Sequence, residues 1–268
     1  MSDTAASFRM LHSNSTPLRL PNAWDAGSAR LFESLGATAI ATTSAGVAWA
    51  LGYRDGRTLP VYEVVATASR IARVLKVPLS VDVEHGYSDD PKVVADNVTR
   101  LADLGVAGIN IEDGPDEPAL VAHKVEAIRG AVSKAGADLF VNVRTDVFLA
   151  SLVEESERVE ESIARGKLYL GAGADGLFIP GIVQPNDIRA VVAGVPLPLN
   201  AMAWPGLADA AELGRLGVRR LSAGSGISQV LWGAAEKLAS DFLKSGRSEP
   251  LEEASMPYPQ LQGLFHTE

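Results

Sequence analysis

The sequence predicts an α/β fold, a (β/α)8 TIM-type barrel, and three observations carry that expectation. Short apolar, β-branched runs recur eight times along the 268 residues. Each run is followed by a helix-length segment with apolar residues at helical spacing. Leu-Gly pairs close several of those segments, at Leu35-Gly36, Leu104-Gly105 and Leu216-Gly217, where glycine supplies the left-handed residue past a helix end.

Taken in order, the first run is 18–23 and its helix 25–35. The second is 39–43 with a helix at 61–76, and the third is 79–83 with a helix at 91–104. Runs 108–112 and 139–144 precede helices at 118–135 and 152–172. Runs 176–179, 196–200 and 219–222 precede helices at 185–193, 207–216 and 226–245. Asp25, Asp89 and Asp209 lie at or near helix starts, where a short acidic side chain caps free amides. Strand-then-helix repeated eight times closes into a parallel barrel covered by helices. An open doubly wound sheet is the runner-up and fits eight units less well. No linker or composition shift marks a second domain. One domain is expected over 1–268, with its core at about 18–245 and an irregular tail at 246–268.

Composition narrows the function. The chain has no cysteine, which excludes disulfides, thiolate metal sites and cysteine nucleophiles. The formal charge is −9, with basic residues scattered rather than clustered, so neither nucleic acid nor an anionic membrane is an expected partner. There is no apolar run long enough to span a bilayer, and MSDTAASFRM does not read as a secretory signal. A cytoplasmic protein is expected.

Active sites of such barrels lie at the C-terminal ends of the strands. Those ends carry Thr42-Thr43-Ser44, Asp82-Val83-Glu84-His85-Gly86-Tyr87, Glu112-Asp113-Gly114, Arg144-Thr145-Asp146, Asn200 and Gly224-Ser225-Gly226. Asp82 and Glu84 are two apart, which puts them on one face of a strand, and Glu112 arrives from the next strand. Three close carboxylates repel unless compensated. A hard divalent cation such as Mg²⁺, with Mn²⁺ as a substitute, resolves that conflict. Arg144, one strand on, has the planar fork that grips a substrate carboxylate. The alternative is a purely structural polar cluster built on Arg144. Gly224-Ser225-Gly226 reads either as a phosphate turn or as a tight turn before a helix. Asn200 either donates to a substrate oxygen or ties a loop. His12, His123 and His266 belong to no constellation and are read as surface residues.

At these residues the chain resembles the isocitrate lyase/phosphoenolpyruvate mutase superfamily. The stretches are PNAWDAGSARL at 21–31, TTSAGVAWALGYRDG at 42–56, VDVEHGYSDDP at 81–91, GVAGINIEDG at 105–114 and VNVRTD at 141–146. The resemblance runs from Pro21 to the helix after Gly226. It implies a barrel whose last helix packs on a neighbouring subunit, giving a homodimer or homotetramer. It implies Mg²⁺ held largely through water at Asp82, Glu84 and Glu112. It also implies substrate carboxylate contacts from Thr43, Ser44, Ala45 and Arg144, a substrate contact at Asn200, and an acid near metal and substrate at Asp55.

The superfamily's isocitrate-type lyases carry a cysteine-bearing lid after the fourth strand. Here that stretch is Glu112-Asp113-Gly114-Pro115-Asp116-Glu117-Pro118, running straight into a helix. The expected chemistry is therefore cleavage or decarboxylation of a small 2-oxo or 2-hydroxy acid through an enolate, without a cysteine acid. His85, Tyr53 and a metal-bound water are the proton-donor candidates. Phosphorus–carbon chemistry on a phosphonopyruvate-like acid and a non-catalytic carboxylate-binding barrel are the alternatives.

Overall fold

The computed structural model describes residues 4–253 and 255–265. A helix that the periodicity did not predict opens the chain, α1 (Thr4–Leu11). The first apolar run forms two short strands, β1 (Leu18–Leu20) and β2 (Asn22–Ala23). Pro21 divides them, because proline has no N–H to give the ladder. Then follow α2 (Ala26–Ser34), β3 (Ile40–Thr42), α3 (Ser44–Ala50) and α4 (Val61–Ala72). Strand β4 (Leu79–Asp82) leads to α5 (Pro91–Asp103), and β5 (Gly108–Glu112) to α6 (Pro118–Lys134).

Strand β6 (Phe140–Arg144) is followed by a 3-10 turn at Glu155–Glu157 and then α7 (Arg158–Ala172), which starts later than the predicted 152. Next are β7 (Gly176–Phe178), α8 (Pro185–Gly194), β8 (Leu199–Met202), α9 (Ala210–Leu216), β9 (Val218–Ser222) and α10 (Gly226–Ser245). Strand β8 begins three residues later than 196, since Pro196 and Pro198 cannot donate to a ladder. The region predicted as an irregular tail holds two short helices, α11 (Glu249–Glu253) and α12 (Tyr258–Gly263).

All strand pairs are parallel, in the order β1-β9-β8-β7-β6-β5-β4-β3-β2. Because β1 and β2 are one stretch broken at a proline, 18–23 pairs with β9 on one side and β3 on the other. The Ala223 amide donates to Leu20 O at 3.0 Å and the Thr43 amide to Ala23 O at 3.1 Å. The ring therefore closes as the predicted barrel, and no sheet edge is left open.

Two apolar clusters hold the barrel. The larger packs the outward faces of the strands against α2 and α4–α9, with Val81, Ile109, Ile111, Val141, Val143 and Leu177 at its centre. The smaller lies inside, where Phe8 of α1 meets Leu18, Leu20, Ala107 and Phe140. Helix α1 thus plugs the barrel interior from the side away from the C-terminal strand ends. His12, expected on the surface, is buried in that plug. Its ring stacks on Phe140 at 4.2 Å, and Nδ1 lies 2.8 Å from Phe8 O. The apolar run of Phe8 and Leu11 supplied a signal that periodicity over so short a segment did not register. His123 is exposed as expected, and His266 lies outside the described residues.

Candidate active site

The strand register places the polar residues in tiers. Asp82 is level with Asn110, Asn110 with Asn142, and Glu112 with Arg144. Asp82, Glu112 and Arg144 are the last residues of β4, β5 and β6, with Asp82 one tier below the other two. Arg144 Nη1 pairs with Glu112 at 2.9 Å, and its Nε and Nη2 meet both oxygens of Asp146 at 2.6 and 3.1 Å. The Asp82 carboxylate accepts from the Glu84 amide at 3.0 Å and from the Ser44 amide. The Asp82 amide in turn donates to Thr42 Oγ1 at 2.8 Å.

Glu84 joins the cluster by a route other than strand alternation. Strand β4 ends at Asp82, and Glu84 sits in a turn with φ +48°, a costly region for a non-glycine residue. Gly86, at φ +93°, continues that turn, and a Cβ there would come within 2.5 Å of Val94. The buried Glu84 carboxylate accepts from the Arg57 amide and lies 3.3 Å from the Tyr87 hydroxyl. Asp55 belongs to the same field, acting on both Asp82 and Glu84.

Burial dominates the electrostatics. It raises the Asp82 carboxyl, with Arg144 and two backbone amides opposing and Asp55 adding to the rise. Burial likewise lifts Glu84, and pushes Glu112 up to about 8 despite its bond to Arg144, because Asp82, Asp146 and Glu84 crowd it. Burial works against the Arg144 cation, but Glu112, Asp146 and Asp82 outweigh it and hold the guanidinium firmly protonated. Tyr87 is raised by burial and by Glu84, so its phenol keeps its proton at neutral pH.

The other predicted residues have surroundings of their own. His85 is buried, and its charged neighbours are Arg57, Lys124, Asp116 and Asp89, not Asp82 or Glu112. Burial, helped by Arg57 and Lys124, lowers it to about 4, so it is neutral at pH 7. Tyr53 bonds to Tyr62 of α4. Thr43 caps α3 through Gly46, and Ser44 and Ala45 open that helix. Asn200 is level with Phe178 and so with Arg144; it accepts from Ser222 Oγ at 3.1 Å, and its Nδ2 has no hydrogen-bond partner among the described residues. At the 224–226 turn the Gly224 amide is committed to Asn22 Oδ1 at 2.9 Å, which favours the tight-turn reading.

Some residues that shape the site were not singled out from the sequence. Asp146 braces Arg144. Arg57 joins the β3–α4 connection to the short β5–α6 connection through Asp116 at 2.6 Å. Arg220, fully buried inside the barrel, bonds to Ser222 Oγ at 3.1 Å and Asn110 Oδ1 at 3.3 Å. Burial lowers it to about 9, with Asp82 opposing. The signals were present: Tyr87 and Asp146 lie in the motif stretches, but motif spacing does not say which neighbour a side chain meets.

Among the described residues no three Asp, Glu or His side chains converge closely enough to hold an ion by direct bonds. The donor set still fits a hard cation bound partly through water. Five carboxylates, of Asp55, Asp82, Glu84, Glu112 and Asp146, act on one another, and the guanidiniums of Arg144 and Arg220 oppose Asp82 or Glu112 from within the barrel. Oxygen-only donors and excess negative charge are what Mg²⁺ takes.

A closed parallel barrel with an acid and arginine cluster at its C-terminal strand ends has the layout of an enzyme site. The sequence pattern of the phosphoenolpyruvate phosphomutase family matches residues 8–243. The chain belongs to this family, within the phosphoenolpyruvate mutase/isocitrate lyase superfamily, and is an enzyme of its lyase/mutase class. It is 39% identical to an uncharacterized protein of Mycobacterium tuberculosis (strain ATCC 25618 / H37Rv), over 96% of this chain and 95% of that one. It is 35% identical to the oxaloacetate decarboxylase of Paraburkholderia xenovorans, over 75% of this chain and 69% of that one. Among solved structures, a candidate phosphonomutase from Burkholderia cenocepacia J2315 superposes with a TM-score of 0.84 at 38% identity, over 89% of this chain and all of that one. A 2,3-dimethylmalate lyase superposes with a TM-score of 0.85 at 25% identity, over 97% and 94%.

Proposed function

We propose that this chain is a Mg²⁺-dependent carbon–carbon lyase that decarboxylates or cleaves a small 2-oxo or 2-hydroxy carboxylic acid of the oxaloacetate or malate type. The observation that carries this reading is the gathering of the half-buried Asp82 and Glu112 and the buried Glu84 beside Arg144 at the strand ends. The relatives named as oxaloacetate decarboxylase and 2,3-dimethylmalate lyase support it, as does the absence of a cysteine acid.

Asp82, Glu84 and Glu112 would hold the metal ion. When bound, Mg²⁺ supplies Lewis-acid polarisation of the substrate's 2-oxygen. Arg144 receives the 1-carboxylate, exchanging part of its bond to Glu112 for a substrate bond of the same kind. The amide of Ala45, in the first turn of α3, has no intrahelical acceptor and is available to an oxygen there. In a decarboxylation the C3–C4 bond breaks, CO₂ leaves, and the electron pair moves into the C2–C3 enolate. Protonation at C3 gives the 2-oxo acid. With His85 neutral and Tyr53 bonded to Tyr62, the Tyr87 hydroxyl, 3.3 Å from Glu84, is the proton store beside the cluster.

The test is release of pyruvate or another 2-oxo acid from oxaloacetate, dimethylmalate, methylisocitrate and isocitrate, with and without Mg²⁺. We expect turnover of one of these that chelator stops. The Asp82→Asn variant should lose at least ~100-fold in rate while keeping its circular dichroism, as for removal of a group that holds a catalytic metal. An Asp82→Asn enzyme that stays active with Mg²⁺ and is still stopped by chelator would put the metal elsewhere.

The similarity to the Burkholderia candidate phosphonomutase favours a second reading, mutase or hydrolase action on a phosphonopyruvate-like acid. Phosphate release, or rearrangement of phosphonopyruvate without 2-oxo acid release from the carbon acids, would select it.

The working form is a homodimer or homotetramer in the cytoplasm. Of the 20 residues of α10 only Ser228 is buried, and Val230, Leu231, Trp232, Phe242 and Leu243 are exposed. A groove of about 790 Å³ beside α2, lined by Phe32, Leu35 and Leu18, lies where an outer helix of the barrel would pack. No helix among the described residues is long and apolar enough to cross a membrane.

A further inference from the structure

Asp113 follows Glu112 at the end of β5 and is fully buried. Its Oδ1 accepts from the Asp146 amide at 2.9 Å. Its Oδ2 accepts from Arg165 Nη1 at 2.9 Å and from the Tyr169 hydroxyl at 2.7 Å. Its own amide donates to Arg144 O at 3.1 Å. One residue therefore grips the segment Arg144-Thr145-Asp146 at both ends. The far side is anchored on α7, where Glu161, Arg165 and Tyr169 are spaced by four and share a helix face. Glu161 holds Arg165 Nε at 2.7 Å.

This arrangement bears on Arg144 by geometry. Asp146 takes the Nε and Nη2 edge of the guanidinium in a two-point contact. A two-point contact fixes the plane of the fork as well as its place. Asp146 can do so only while its own backbone is held, and the Asp113 carboxylate holds it. All three groups that Asp113 binds through its side chain are donors, so an acceptor-only carboxylate satisfies them together, whereas an amide turns one donor toward another.

We propose that Asp113, braced by Arg165 and Tyr169, is a positioning residue that locks the Arg144 fork in its carboxylate-binding orientation. The proposal rests on the reading of Arg144 as the group that receives the substrate carboxylate. Asp113 touches no substrate atom in this scheme; it acts through Asp146.

The experiment compares wild type with Asp113→Asn and Tyr169→Phe in oxalate binding by calorimetry in Mg²⁺ buffer, in KM and kcat for the 2-oxo acid turned over, and in thermal midpoint. Asp113→Asn should raise the oxalate Kd and the KM by about tenfold or more, as for loss of a group that orients a site residue, with kcat within about threefold. Tyr169→Phe leaves the Asp146 bond in place and should raise both by a smaller factor in the same sense. If Asp113→Asn does not fold, Tyr169→Phe and Arg165→Met carry the same comparison. Unchanged Kd and KM with only a lower thermal midpoint would make the set structural and overturn the proposal. A wild-type protein that binds no oxalate and turns over no 2-oxo acid would overturn the reading of Arg144 and the proposal with it.

Discussion

His12 shows what one buried residue does to stability. Its Nδ1 lies against the Phe8 carbonyl, so that nitrogen carries the hydrogen, and Nε2 has no hydrogen-bond partner among the described residues. Burial, with Arg220 adding to it, lowers the imidazole to about 3. The sign follows from linkage. The unfolded chain takes up a proton on this residue near pH 6.5 and the folded chain does not, so folding loses stability as pH falls below about 6.5. Between pH 7 and pH 5 this residue alone should cost about 2 kcal/mol. Urea midpoints at the two pH values check it: a His12→Gln variant should show a drop smaller than wild type by roughly that amount. An equal drop in both proteins would mean that water reaches the ring.

At the scale of elements, α1 does what the apolar filling of a barrel interior does elsewhere. Phe8 fills the space beside Gly108, where a Cβ would lie 2.9 Å from the Phe8 ring and from Phe140 O. Large-to-small change at such a site leaves a cavity, so Phe8→Ala should cost about 3–5 kcal/mol in denaturant unfolding. A cost below ~1 kcal/mol would show that the plug is not part of the cooperative unit. The carboxylate cluster stays distant from this change, and KM should hold. The connection containing Asp55 and Arg57 is a different kind of element. It is anchored in the core by Leu59 and Tyr53, and tied to the site by the bond from the Arg57 amide to Glu84 and by the Arg57–Asp116 ion pair.

For the whole molecule, an exposed 20-residue helix beside an open groove predicts association. An apolar patch such as Leu231, Trp232 and Leu243 is costly to leave in water. Light scattering should give a mass of two or four chains at micromolar concentration, and Trp232→Glu should shift it toward one. A monomeric wild type would remove that reading. The net charge of −9 favours solubility of such assemblies.

The sequence by itself determined the barrel. Periodicity of apolar residues, glycines past helix ends and short acidic side chains at helix starts are local signals, and each acts within a few residues. It also determined that Asp82, Glu112 and Arg144 share one end of that barrel, because the strand ends are set by the same signals. The tertiary structure decided the partners. Asp146 and Glu112 occupy the Arg144 fork, Glu84 arrives through a left-handed turn, His85 is directed to the Arg57 and Lys124 side, and His12 is buried. Arg220 inside the barrel and Asp113 under Arg144 are likewise set by contacts between residues more than thirty positions apart. Such contacts depend on which side chains the closed ring brings level, and neither spacing nor composition encodes that.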